Sequence, residues 1–167
     1  MGLFSSKNKD GSIGTNLAFV DGMNTFFKGE AVELSLYEDY NEIRIKSRID
    51  KKKPLVHLKL DKITKAECIS EKEIIEKSKS VGGRAIVGGV LLGPLGAIVG
   101  GMSGIGNKNK SKYKNFIVIN YTNNGEDRAL SFEIVGSSLG WDKVLKEIKE
   151  HTDSSDGIEI SKSDIEL

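Results

Sequence analysis

Phe116-Ile117-Val118-Ile119, then Asn123-Asn124-Gly125, then Leu130, Phe132 and Ile134, then Trp141, Val144, Leu145 and Ile148: these residues lay out one end of a small α+β fold. A continuous apolar run is what a central strand carries, because it is buried on both faces. Asn and Gly accept positive φ, so Asn123-Asn124-Gly125 reads as a hairpin turn. Leu130, Phe132 and Ile134 alternate with polar neighbours on the returning strand. The spacing of Trp141, Val144, Leu145 and Ile148 is i, i+3, i+4, i+7, one apolar stripe of a helix. Lys143, Lys146, Glu147, Lys149 and Glu150 cover its other side, and Gly136-Ser137-Ser138 offers an N-cap.

Upstream the period is again two. Val32, Leu34 and Leu36 alternate with Glu33, Ser35 and Tyr37, and Glu38-Asp39-Tyr40-Asn41 turns the chain. Ile43 and Ile45 alternate with Glu42, Arg44 and Lys46; Val56, Leu58 and Leu60 alternate with His57 and Lys59. Ile63 follows Leu60 at a spacing of three, which predicts a bulge or bend before Ala66–Ile69. Residues 5–15, rich in Ser, Lys, Asn and Gly, read as a loop within an N-terminal segment 1–30. Residues 31–150 read as the domain, with strands over 31–69 and 115–135 and a helix over 138–150. Asp153, Asp156, Glu159, Asp164 and Glu166 mark residues 151–167 as an acidic flexible tail.

Composition narrows the chemistry. The 167 residues carry a net charge of +1, which argues against nucleic acid as a partner. One cysteine, Cys68, excludes an internal disulfide, and two histidines, His57 and His151, leave little for a metal site, so no cofactor is expected. Cys68 has no histidine near it in sequence to make it a nucleophile, and His57 falls on the polar side of its strand. No phosphate loop, carboxylate pair or Ser-His-Asp set has a supporting spacing, which points away from an enzyme. The opening residues lack an apolar stretch of signal-peptide length, giving a cytoplasmic expectation, at the inner face of the cell membrane if the protein meets lipid.

Antiparallel strands closed off by one C-terminal helix resemble a pleckstrin-homology-like (PH-like) small barrel. Val56-His57-Leu58-Lys59-Leu60-Asp61-Lys62-Ile63-Thr64-Lys65-Ala66-Glu67 is similar to the third strand, bend and fourth strand of bacterial PH-like and GRAM-like domains. Phe116–Ile134 with Trp141–Ile148 is similar to their last hairpin and capping helix. The resemblance implies a bacterial or phage source and a lipid- or protein-binding module.

Between the two halves lies a glycine-rich insert over 71–107. Ten of the chain's 19 glycines fall between Gly82 and Gly106, and Ala-Ile-Val-Gly-Gly occurs at both 85–89 and 97–101. Gly89, Gly93, Ala97 and Gly101 are four apart, as are Gly96, Gly100 and Gly104. Small residues at that spacing let a second helix approach closely, and the stretch resembles a glycine zipper. Gly88, Gly89, Gly93, Pro94, Gly96, Gly100, Gly101 and Gly104 are its candidate membrane or self-association residues.

Ala85 to Asn107 is uncharged and long enough for one membrane span. A single crossing, however, would put the two halves of one sheet on opposite sides of a bilayer. Gly93-Pro94 suits a turn, so a helical hairpin is expected. Its arms, Ala85–Leu92 and Leu95–Gly104, would reach about 12 and 15 Å at 1.5 Å per residue, against a hydrocarbon core of about 30 Å. The hairpin either enters one leaflet, crosses with help, or packs on the protein's own body.

Lys108, Lys110, Lys112 and Lys114 follow the insert and suit anionic headgroups or a solvated loop. Arg44, Lys46 and Arg48 share one strand face and form a second candidate anion- or partner-binding set, although Glu33 stands where a basic partner would be expected from the resemblance. Two functional readings follow. One is a non-enzymatic membrane-associated adaptor or effector whose hairpin inserts or oligomerises while the barrel binds lipid or protein. The other is a soluble homo-oligomeric scaffold that uses the hairpin to self-associate.

Overall fold

The alternation over residues 31–47 folds as a two-strand ladder, and five further strands join it. A computed structural model describes residues 8–80, 86–87, 90–91 and 113–163. In chain order these include β1 (Ile13–Asp21), β2 (Ala31–Tyr37), β3 (Glu42–Ser47), β4 (Val56–Lys59), β5 (Ile63–Ser70), α1 (Glu71–Ser80), β6 (Ile86–Val87), β7 (Val90–Leu91), β8 (Asn115–Asn123), β9 (Glu126–Glu133) and α2 (Trp141–Ser163). Seven strands form one sheet in the order β4-β3-β2-β1-β9-β8-β5, with every neighbouring pair antiparallel. With the C-terminal helix packed inside its curve, this is a PH-like barrel.

Two turns have local causes. Asn124 and Gly125, with φ 53° and 79°, make the β8–β9 hairpin, since both central residues need positive φ. Leu60–Lys62 forms a 3-10 turn between β4 and β5, so Leu60 and Ile63 both reach the core despite their spacing of three.

The first strand corrects the sequence expectation. Residues 13–15, read as the end of a loop, instead begin β1 at the centre of the sheet: residues 13–18 pair with β2, and residues 18–21 with β9. A register shift between Phe19 and Asp21 bends the strand so that it serves both partners. Gly22 follows at φ 119°, where an added Cβ would lie 2.2 Å from the Ala129 carbonyl oxygen. No other residue fits so close a backbone crossing.

Leu17, Phe19, Leu34, Leu36, Ile43, Ile45, Ile119, Leu130 and Phe132 fill the interior, and Val144, Leu145 and Ile148 of α2 close it, with Trp141 packed at the rim. Phe19 sits edge-on to Phe26 and Phe132 at 5.5 and 6.0 Å. Each such ring contributes roughly 1.5–3 kcal/mol through burial.

Two further expectations shift. The helix begins at Trp141 after Gly140 rather than at Ser138, whose Oγ instead accepts from the Val135 amide at 2.9 Å. It continues to Ser163, where a flexible tail was expected from 151.

The insert leaves and returns at one place. Ser70 pairs with Asn115, the Glu71 amide donates to the Lys114 carbonyl at 2.8 Å, and the Lys114 amide donates to Glu71 Oε2 at 3.1 Å. α1 starts with a capping box: Glu73 Oε2 accepts from the Ser70 amide, and Ser70 Oγ accepts from the Glu73 amide. In the expected first helical arm, Ile86–Val87 pairs antiparallel with Val90–Leu91 instead. The rest of the expected hairpin lies outside the described residues.

Candidate functional site: the basic loop end of the barrel

β1 and β3 run toward one end of the sheet, and β2 and β4 start from it, so the 22–30 and 48–55 loops meet there. Glu30 joins them. Its side chain is fully buried and accepts from the Phe27 amide at 3.0 Å, Ser47 Oγ at 2.6 Å and Lys53 Nζ at 2.6 Å. Burial pushes the Glu30 carboxyl up, but the bonds from Lys53, Ser47 and the Phe27 amide outweigh it and hold the group below the usual carboxylate range. The Arg48 amide also donates to the Ala31 carbonyl at 2.8 Å. One buried charge thus fixes the shape of two surface loops.

On those loops sit apolar side chains facing water. Phe27 is 57% exposed, Ile49 62% and Leu55 43%. Lys53 Nζ lies 5.1 Å from the centre of the Phe27 ring, a cation–π contact. Beside the 48–55 loop and the end of β3 opens a cavity of about 620 Å³ lined by Lys46, Ser47, Arg48, Lys51 and Lys53 with Asp50 and Leu55. Lys28, Lys46, Arg48, Lys51, Lys52 and Lys53 set six cations against the four carboxylates of Asp21, Glu30, Glu33 and Asp50. This end therefore carries a net positive charge beside its exposed apolar loops.

Of the basic set read from the sequence, Lys46 and Arg48 reach this end. Both are held by Glu33 across the ladder, at 3.1 and 3.0 Å. Burial raises the Glu33 carboxyl, and the bond from Lys46 leads the contacts that bring it below its ordinary value. The residue that looked like a missing basic partner thus orients two cations at the rim.

Arg44 belongs elsewhere. Its Nε donates to Glu42 Oε1 at 2.7 Å, and its guanidinium stacks on Tyr37 and Tyr40 at 4.0 and 4.8 Å. His57 Nδ1 lies 3.0 Å from the same Glu42 oxygen, and Lys59 Nζ lies 3.0 Å from the other. Arg44, then His57 and Lys59, hold Glu42 down to about 2. This cluster braces the opposite end of β3.

Lys114 anchors the base of the insert by donating to Glu133 at 3.1 Å. Gly88, Gly89, Gly93, Pro94, Gly96, Gly100, Gly101, Gly104, Lys108, Lys110 and Lys112 lie outside the described residues. Cys68 is half-buried, and burial pushes its thiol up, away from nucleophilic reactivity. Among the described residues no group of His, Cys, Asp and Glu could hold a metal, and no helix is long and apolar enough to cross a membrane.

Sequence reasoning missed Phe27, Ile49, Leu55 and Glu30. The available signal was two isolated apolar residues on either side of Lys51-Lys52-Lys53-Pro54. No curated protein and no solved structure matches this chain. A family model described as a glycine zipper containing PH domain matches residues 24–133, which take in β2 to β9 and the whole insert. The chain belongs to the family of glycine zipper-containing PH domains.

Proposed function

We propose that this protein is a non-enzymatic, membrane-associated adaptor that docks on an anionic lipid surface through the loops at residues 22–30 and 48–55. One observation carries the reading: exposed Phe27, Ile49 and Leu55 share a rim with six cations, while the chain as a whole carries only +1. Apolar side chains that enter the headgroup region and lysines that meet lipid phosphates are the two halves of interfacial binding. Glu30 holds both loops in place before contact, which lowers the ordering cost of binding.

The glycine-rich insert is the second element. Its small residues four apart suit close helix contact, in the bilayer or between copies gathered on it. Lys108, Lys110 and Lys112 add charge suited to the same lipids. A soluble scaffold built through the zipper is the competing reading, favoured by the same glycine spacing.

Vesicle flotation separates the two. The full chain should float with vesicles containing phosphatidylserine, less so as salt rises, and not with neutral vesicles. Charge reversal at the exposed pair Lys51→Glu and Lys52→Glu should weaken binding at least about thirtyfold, taking about 1 kcal/mol per lysine near an anionic surface. Unchanged flotation of that variant, or a defined oligomer with no vesicle binding, would remove the membrane reading.

A further inference from the structure

The outer face of β8 and β9 is buried, although its residues lie outside the core cluster. Ile117 and Ile119 point inward with Leu130 and Phe132. Their neighbours Phe116, Val118 and Asn120 therefore point outward, opposite Ser131 and Ala129 of β9 and Ile69 of β5. All six are buried, yet none belongs to the core cluster. A strand apolar on both faces needs cover on both.

Among the described elements, α2 packs chiefly on β5, β1, β2 and the 60–62 turn, and α1 on β5. β7, a piece of the insert that lies outside the sheet, contacts β9. The chain between α1 and Tyr113 is tethered at both ends to the edge of this face, through Ser70 and Asn115. Asn120 supplies an independent observation. It is 2% exposed, and neither its Nδ2 nor its Oδ1 has a hydrogen-bond partner. A buried amide left so is costly, so its cover must offer both a donor and an acceptor. Glycine backbone, with no side chain to hold it away, offers both.

We infer that the outer face of β8 and β9 is the docking surface of the chain's own glycine-rich segment, residues 82–106, with the backbone of that segment meeting Asn120. The zipper row then serves close approach to a sheet as well as to another helix. This inference stands apart from the membrane reading, because it concerns the free protein.

Thiol labelling tests it. In a Cys68→Ser background, Val118→Cys places a small thiol at the centre of the face, and Ile119→Cys places a control in the core. In the full chain, Cys at 118 should react with a maleimide at least about tenfold more slowly than in a chain whose residues 82–106 are replaced by a short Gly-Ser linker. The thiol at 119 should stay protected in both, which reports that the shortened chain folds. Should the shortened chain not fold, Ala97→Asp in the full chain provides the second measurement: a charge in the small-residue row should speed labelling at 118 severalfold with an unchanged circular dichroism spectrum. Rapid labelling at 118 in the full chain, or no acceleration by Ala97→Asp, overturns the inference. Protection that appears only at concentrations where the protein associates also overturns it, because the cover is then a second copy's segment.

Discussion

Replacing Glu30 by Gln should destabilise the barrel and loosen its lipid-facing loops together. The carboxylate accepts three bonds, two of them at 2.6 Å, from a fully buried position. Gln keeps the size and one acceptor oxygen, so part of the Ser47 and Phe27 bonding survives. The Lys53 ion pair does not, and the Gln NH2 faces a donor. A hydrogen bond to a charged group is worth about 1.5–3 kcal/mol. Removing one partner of a buried pair costs about 3–5 kcal/mol, and Lys53, a quarter exposed, recovers some of this through water.

We therefore expect a loss of about 2–4 kcal/mol at pH 7. At about 2–4 °C per kcal/mol for a chain of this size, the melting temperature should fall by roughly 4–16 °C. The sign of the pH dependence follows from the lowered Glu30 carboxyl. The contribution is complete above its ordinary value of 4.5 and is lost as pH falls from there toward the lower folded value. Thermal melts of both proteins from pH 7 down to pH 3 should show the gap narrowing below about pH 4.5. Flotation of Glu30→Gln with anionic vesicles should weaken too, although no exposed cation is lost. A variant that melts within about 1 °C of the parent at pH 7, with a gap independent of pH, would refute the role assigned to Glu30.

Three further outcomes are expected. Gly22→Ala must accept φ near 119° and a Cβ 2.2 Å from a backbone oxygen, so it should lose about 3 kcal/mol or more in urea unfolding or fail to fold. Glu42→Gln should cost about 1–2 kcal/mol at pH 7, discounted for the exposed His57 and Lys59, with the difference vanishing as pH falls from 4.5 toward about 2. Ser70→Ala removes the N-cap of α1 and should cost about 1 kcal/mol in the same urea assay while leaving vesicle binding intact.

Most strands are legible in the sequence because their period is unbroken. Val32-Leu34-Leu36 and Leu130-Phe132 needed only an alternation, and Asn124-Gly125 only a turn with two positive φ values. β1 escaped because Thr15 interrupts its apolar row: Ile13, Leu17 and Phe19 face inward, but so does the polar Thr15. The extension of α2 was hidden by Asp153-Ser154-Ser155-Asp156-Gly157, poor helix formers with no apolar stripe.

The loop end was legible only in its charges. Lysines announce themselves in a sequence, whereas the burial of Glu30 depends on two loops meeting across the sheet. Phe26 and Phe27 look alike in the chain, yet one packs on Phe19 and the other faces water. The Phe116–Ile119 run declared two buried faces, and both are buried in the fold.

The most direct test of the account asks which end of the barrel meets lipid. In a Cys68→Ser background, an environment-sensitive fluorophore at Ile49→Cys marks the basic loop end, and the same dye at Asp39→Cys marks the opposite turn. On addition of phosphatidylserine vesicles, emission from position 49 should shift to the blue and resist an aqueous quencher, while position 39 stays unchanged. A shift at position 39 alone, or at neither position, contradicts docking through the 22–30 and 48–55 loops.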